Sequence, residues 1–100
     1  IDAELFRYPG PQPHSKETGI LMLADISEAR ARSSPPKNDD ELRNLLRSIF
    51  DFIHKEGSLE NTNLSLRDLS TIQESFHKTL KNTYHPRIQY PEDRASNLNK

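Results

Sequence analysis

The sequence predicts an all-α fold, three main helices with proline-rich extended flanks, and three observations predict it. Apolar residues recur at helical spacing in two long segments, a third apolar run is bracketed by helix start and stop signals, and no segment alternates with the period of two that a strand needs. The chain has 100 residues, enough for one small core. Residues 1–14 read as an extended loop, because Pro9, Pro11 and Pro13 remove backbone donors and push their predecessors out of the α region.

Ser15 is placed to cap a first helix over residues 15–32, with Glu17 near its positive dipole end. Ile20, Leu21, Leu23, Ala24 and Ile26 give this helix more apolar surface than one wet face allows, so it is expected to be buried on two sides, part of its surface being meant for residues that the chain lacks. At 100° per residue, Leu21, Asp25, Glu28 and Arg32 fall on one stripe.

The cluster Ser33-Ser34-Pro35-Pro36-Lys37-Asn38 breaks the chain, and Asn38 or Asp39 can cap a second helix over residues 39–56. Leu42, Leu45, Leu46, Ile49, Phe50 and Ile53 form its i, i+3, i+4, i+7, i+8, i+11 series, and Gly57 stands past its end. A loop leads to a third helix over residues 65–84. Ser65 and Asp68 open it as a capping-box variant, and Leu66, Leu69, Ile72, Phe76 and Leu80 are its expected apolar stripe. Pro86 and Pro91 predict an extended tail over residues 85–100.

Composition narrows the function. There are 14 basic and 15 acidic residues, mixed along the chain, for a net charge of −1, which leaves no electrostatic footprint for DNA or RNA. The absence of cysteine removes disulfides, thiolate metal sites and cysteine nucleophiles. The longest apolar run, Gly19 to Ala24, falls far short of the roughly 20 residues of a membrane-spanning helix.

Asp25 is the candidate with chemical interest, since a carboxylate amid Leu23, Ala24 and Ile26 calls for a cation, a hydrogen-bond network or solvent. Glu28 has Arg32 one turn on as an ordinary ion-pair partner. His14, His54, His77 and His85 lack the spacing that lets one helix grip an ion, and each reads as solvated or structural. Arg7 and Lys16 could hold a phosphate beside the first helix's N-terminus.

The string FRYPGPQPHSKETGILMLADISEARARS, followed by GSLENTNLSLRDLSTIQESF and YHPRIQYP, resembles the C-terminal part of the catalytic domain in the seven-transmembrane HD family of bacterial membrane proteins, whose known members hydrolyse cyclic di-AMP. The likeness covers residues 5–92 in order. It implies that residues 1–100 are the C-terminal portion of an HD phosphohydrolase domain, that Asp25 corresponds to the last metal-binding aspartate, and that Arg7, Tyr8 and Lys16 lie on the substrate side. It implies further a divalent metal pair, manganese or iron, in the parent protein, where a metal-bridging water attacks the phosphodiester.

The upstream ligands of such a site are missing here, for the chain holds no adjacent His-Asp and no His-His, so the expectation is that these residues alone bind no metal and catalyse nothing. Gln12 stands where the family often has a basic residue, and His14 where glutamine is common. The expected partners are the remainder of the parent's HD domain and a cyclic dinucleotide, on the cytoplasmic side of the bacterial membrane, and exposed apolar helix faces also allow a homodimer. The alternative reading is a non-catalytic helical interaction or regulatory module that uses Leu45, Phe52 and Phe76, or the outer side of the first helix.

Overall fold

The computed structural model describes residues 11–84. They form three α-helices that touch pairwise: α1 (Lys16–Ser33), α2 (Asp39–Lys55) and α3 (Leu66–Tyr84). The all-α expectation holds, with no strand among the described residues. The flanking segments of residues 1–10 and 85–100, which carry the expected loop and tail, lie outside the described residues.

Each helix starts where a side chain takes over the orphan amide groups of its first turn. The Ser15 hydroxyl accepts from the Thr18 N–H while the Thr18 hydroxyl accepts from the Ser15 N–H, a closed capping box. Asn38 Oδ1 accepts from the Glu41 N–H at 2.9 Å, and Glu41 reaches back to the Lys37 N–H at 2.8 Å. Ser65 and Asp68 repeat the reciprocal arrangement at α3, both bonds at 3.0 Å. The Ser65 amide and hydroxyl, helped by the charge of Lys16, hold the Asp68 carboxyl below its ordinary pKa. At the other end of α2, Gly57 adopts φ +83°, the left-handed turn that lets the chain leave the helix without a Cβ penalty.

The core is built around α2, where Leu42, Leu46 and Ile49 are completely buried and Phe50 and Ile53 nearly so. Met22, Leu23, Ile26 and Ala31 come in from α1, Leu69 and Leu80 from α3, and Leu59 from the connecting turn. Phe50 and Phe76 meet edge to face with centroids 5.6 Å apart. Leu45, Phe52 and Phe76, candidates for a partner-binding face, instead pack against this core. Leu66 leaves its expected stripe and is largely exposed, because it is the first residue of α3 and precedes the turn that meets the core.

The first helix departs from expectation in an informative way. Its buried residues, Gly19, Met22, Leu23, Ile26, Ser27 and Ala31, form one broad arc rather than two separate sides. Gly19 lies at the closest approach, where an added Cβ would come within 3.0 Å of Thr62 Cγ2 and 3.1 Å of Leu64 Cδ1. The opposite arc stays open, and Leu21 is 54% exposed.

One polar contact ties α3 to the head of α2. His77, buried on α3, lies with Nε2 2.7 Å from Asp39 Oδ1. An ionised carboxylate can only accept, so Nε2 carries the proton. Arg43 at 3.1 Å and Lys81 at 3.7 Å complete the cationic surroundings of Asp39, and Glu74 faces Arg43 at 3.6 Å. The His77 hydrogen bond foremost, with Arg43 and Lys81, holds the Asp39 carboxyl below its ordinary value.

Truncation of Leu46, with no exposed surface, leaves a cavity between helices, and Leu46→Ala is expected to lower unfolding free energy by about 2–5 kcal/mol in urea titration. A depressed carboxyl pKa contributes stability that is present above the unfolded value, about pH 4, and is lost as pH falls through the folded value. Asp39→Asn is therefore expected to destabilise the protein at pH 7, with a deficit relative to wild type that shrinks in acid as pH falls through the folded carboxyl value. Equal deficits at neutral and acid pH would show that Asp39 acts through packing alone.

Candidate functional site

Asp25 sits on the open arc of α1, nearly opposite the buried one, and is exposed. Its sequence neighbours Leu23 and Ile26 are apolar, yet at 100° per residue they point to the core while Asp25 points away from it. Asp25 is thus exposed to solvent, and its apolar sequence neighbours do not surround it. Among the described residues Asp25 makes no hydrogen bond or ion pair, and no group of three or more histidine, aspartate or glutamate side chains gathers as a metal site. The residues present do not by themselves fit a metal pair.

The rest of the stripe follows the expected register. Leu21, Asp25, Glu28 and Arg32 are all exposed along one face of α1, and Glu28 pairs with Arg32 one turn on. Thr18 continues the stripe toward the N-terminus. There a groove of about 330 Å³ opens, lined by residues 11–15 together with Thr18 and Leu21. Pro13 is buried against the body of the protein while Pro11, Gln12 and His14 remain exposed, so the extended backbone before the helix forms one wall and α1 the other.

The expected substrate-side residues separate. Lys16 is exposed in the first turn of α1, half a revolution round the helix from Asp25 and about 14 Å along its axis, and its charge bears on Asp68 of α3. The helix thus does not bring Lys16 and Asp25 together. Arg7 and Tyr8 lie outside the described residues. Of the histidines, His14 lines the groove and His54 is exposed beside the turn after α2, whereas His77 is committed to Asp39. The His77–Asp39 contact spans 38 positions and was invisible to local spacing; a histidine on an apolar helix face was its one signal. The groove was missed as well, since it is made by backbone direction rather than by a motif.

Over 92 residues the chain is 40% identical to the cyclic-di-AMP phosphodiesterase PgpH of Bacillus subtilis. This stretch is similar to part of a cyclic-di-AMP phosphodiesterase. The protein of the same name from Listeria monocytogenes is 30% identical over 89 residues, and an uncharacterized protein of Synechocystis, slr0104, is 36% identical over 92. The match covers 92% of this chain against B. subtilis PgpH, bearing out the resemblance seen in the residues, but the chain spans only about an eighth of each relative's length, 13%, 11% and 12% respectively for the B. subtilis, Synechocystis and Listeria proteins. No family model matches the chain, and no solved structure matches it. No helix among the described residues is long and apolar enough to cross a membrane.

Because Asp25 is exposed and a poor helix former, Asp25→Ala is expected to leave the three-helix fold intact and to raise its unfolding free energy by up to about 0.7 kcal/mol. A loss of more than about 1 kcal/mol in thermal or urea unfolding would assign Asp25 a structural role instead.

Proposed function

We propose that this chain is the C-terminal helical part of a metal-dependent HD phosphohydrolase domain that hydrolyses a cyclic dinucleotide, cyclic di-AMP, and that Asp25 is its contribution to the metal site. The similarity to two cyclic-di-AMP phosphodiesterases along nearly the whole chain carries this reading. The position of Asp25 supports it, since the carboxylate stands on the face of α1 that the described residues leave uncovered, next to an exposed leucine. Neither feature helps the three helices fold, and both suit a surface completed by another part of the parent.

In this reading Asp25 would join imidazoles and a second carboxylate from elsewhere in the HD domain in holding a manganese or iron pair, which would supply Lewis-acid chemistry at the phosphodiester. The role of α1 is positional. Packing of Met22, Leu23 and Ile26 on α2 fixes the helix rotation, and rotation fixes where the Asp25 carboxylate points. Arg7 and Tyr8, which precede the described residues, remain the proposed substrate-side groups, whereas Lys16 lies round the helix from Asp25, and the parent's catalytic domain lies on the cytoplasmic side of the membrane.

In the full-length protein, Asp25→Ala is expected to reduce retained manganese and to cut cyclic di-AMP hydrolysis by about a hundredfold or more, as even outer partners of metal ligands can do, with unchanged circular dichroism. Wild-type turnover together with wild-type metal content in that variant would reject the assignment.

A further inference from the structure

The segment that joins α2 to α3, residues 56–65, carries no residue of the proposed site, yet α1 rests on it. Gly19 is the point of contact. A Cβ there would lie 3.0 Å from Thr62 Cγ2, 3.4 Å from Thr62 Cβ and 3.1 Å from Leu64 Cδ1. At the shorter separations one side has to give by a few tenths of an ångström. What happens to α1 depends on which side is the stiffer.

The seat is stiff at Thr62. This residue is 2% exposed, and its hydroxyl donates to the Leu59 carbonyl at 2.6 Å while accepting from the Leu64 N–H at 3.3 Å. Turning the side chain to swing Cγ2 away would carry the hydroxyl off both bonds and leave a buried polar group unpaired. The backbone is tied as well. The Thr62 N–H donates to the Leu59 carbonyl at 3.1 Å and the Glu60 N–H to the Gly57 carbonyl at 3.2 Å, with left-handed residues, Gly57 and Asn63, at φ 83° and 64°. Leu64 Cδ1, the end of a partly buried and flexible side chain, yields more readily than Thr62. The helix is therefore the side that moves.

Asp25 follows Gly19 by six residues on the same helix, about 9 Å along the axis, so a lift of α1 at Gly19 is carried to the carboxylate. We propose that Gly19 and Thr62 are a positioning pair, whose contact sets the height of α1 on the connecting segment and thereby the place of Asp25. The inference rests on the assignment of Asp25 to the reaction centre and deepens it. Neither member of the pair meets substrate, and both act through Asp25.

Steady-state hydrolysis of cyclic di-AMP by the full-length protein tests the pair. Gly19→Ala is expected to lower kcat about tenfold with KM within about twofold of wild type, less than the roughly hundredfold that a misplacement of about 1 Å can cost. Its melting temperature is expected not to fall, because alanine is the better helix former. Thr62→Ser keeps the hydroxyl and removes Cγ2, so the double variant Gly19→Ala/Thr62→Ser is expected to recover most of the lost kcat. Wild-type kcat in Gly19→Ala overturns the proposal, and so does a loss that Thr62→Ser fails to restore. A lower melting temperature accompanying the loss of kcat overturns it too, since Gly19 would then serve folding alone. Asp25→Ala in the same assay separates the two readings. Wild-type turnover in that variant rejects Asp25 and the pair together, whereas an inactive Asp25→Ala beside a fully active Gly19→Ala rejects the pair alone.

Discussion

Burial of the apolar stripe of α2 between the other two helices is the constraint on which the molecule depends. Leu42, Leu46 and Ile49 have no exposed surface at all, and the buried apolar residues of α1 and α3 join the same cluster. Because side chains interdigitate at near-crystalline density, seating Met22, Leu23 and Ile26 against that stripe fixes the rotation of α1 as well as its position. The direction of every residue on the outer arc of α1, Asp25 included, follows from contacts on the inner arc.

The polar contacts add direction to this core. The charge of Lys16 in the first turn of α1 bears on Asp68 in the first turn of α3, and Gly19 seats tightly against Thr62 and Leu64 of the connecting segment. The head of α2 is held to α3 by His77, a nearly buried ring whose Nε2–H meets Asp39. These contacts lie away from the stripe of Leu21 and Asp25. The outer arc of α1 therefore takes no part in what holds the three helices together.

Much of the fold was legible in the residues. The caps Ser15, Asn38 and Ser65 and the stop at Gly57 mark helix ends through bonds to the backbone a few positions away, so local chemistry is enough to place them. Leu66 was misjudged because periodicity counts a residue in a helix without knowing whether that turn reaches the core. Leu45, Phe52 and Phe76 were open to reading as a partner surface because amphipathicity shows that a face is apolar and not what covers it. The site was legible only in part. Asp25 and its stripe could be read from spacing, whereas the groove beside Leu21 and the half-turn between Lys16 and Asp25 emerge from how the extended segment meets the helix.

By itself the sequence determined three helices, their caps, the apolar face of α2 and the register that puts Leu21, Asp25, Glu28 and Arg32 in line, because each is set by bonds or angles within a few residues. Tertiary structure decided which arc of α1 is buried, that Asp25 is exposed on the opposite arc, and that His77 finds Asp39 across 38 positions. Those outcomes depend on which surfaces of separate helices meet, and a one-dimensional pattern of apolar residues carries no information about the rotation at which they do.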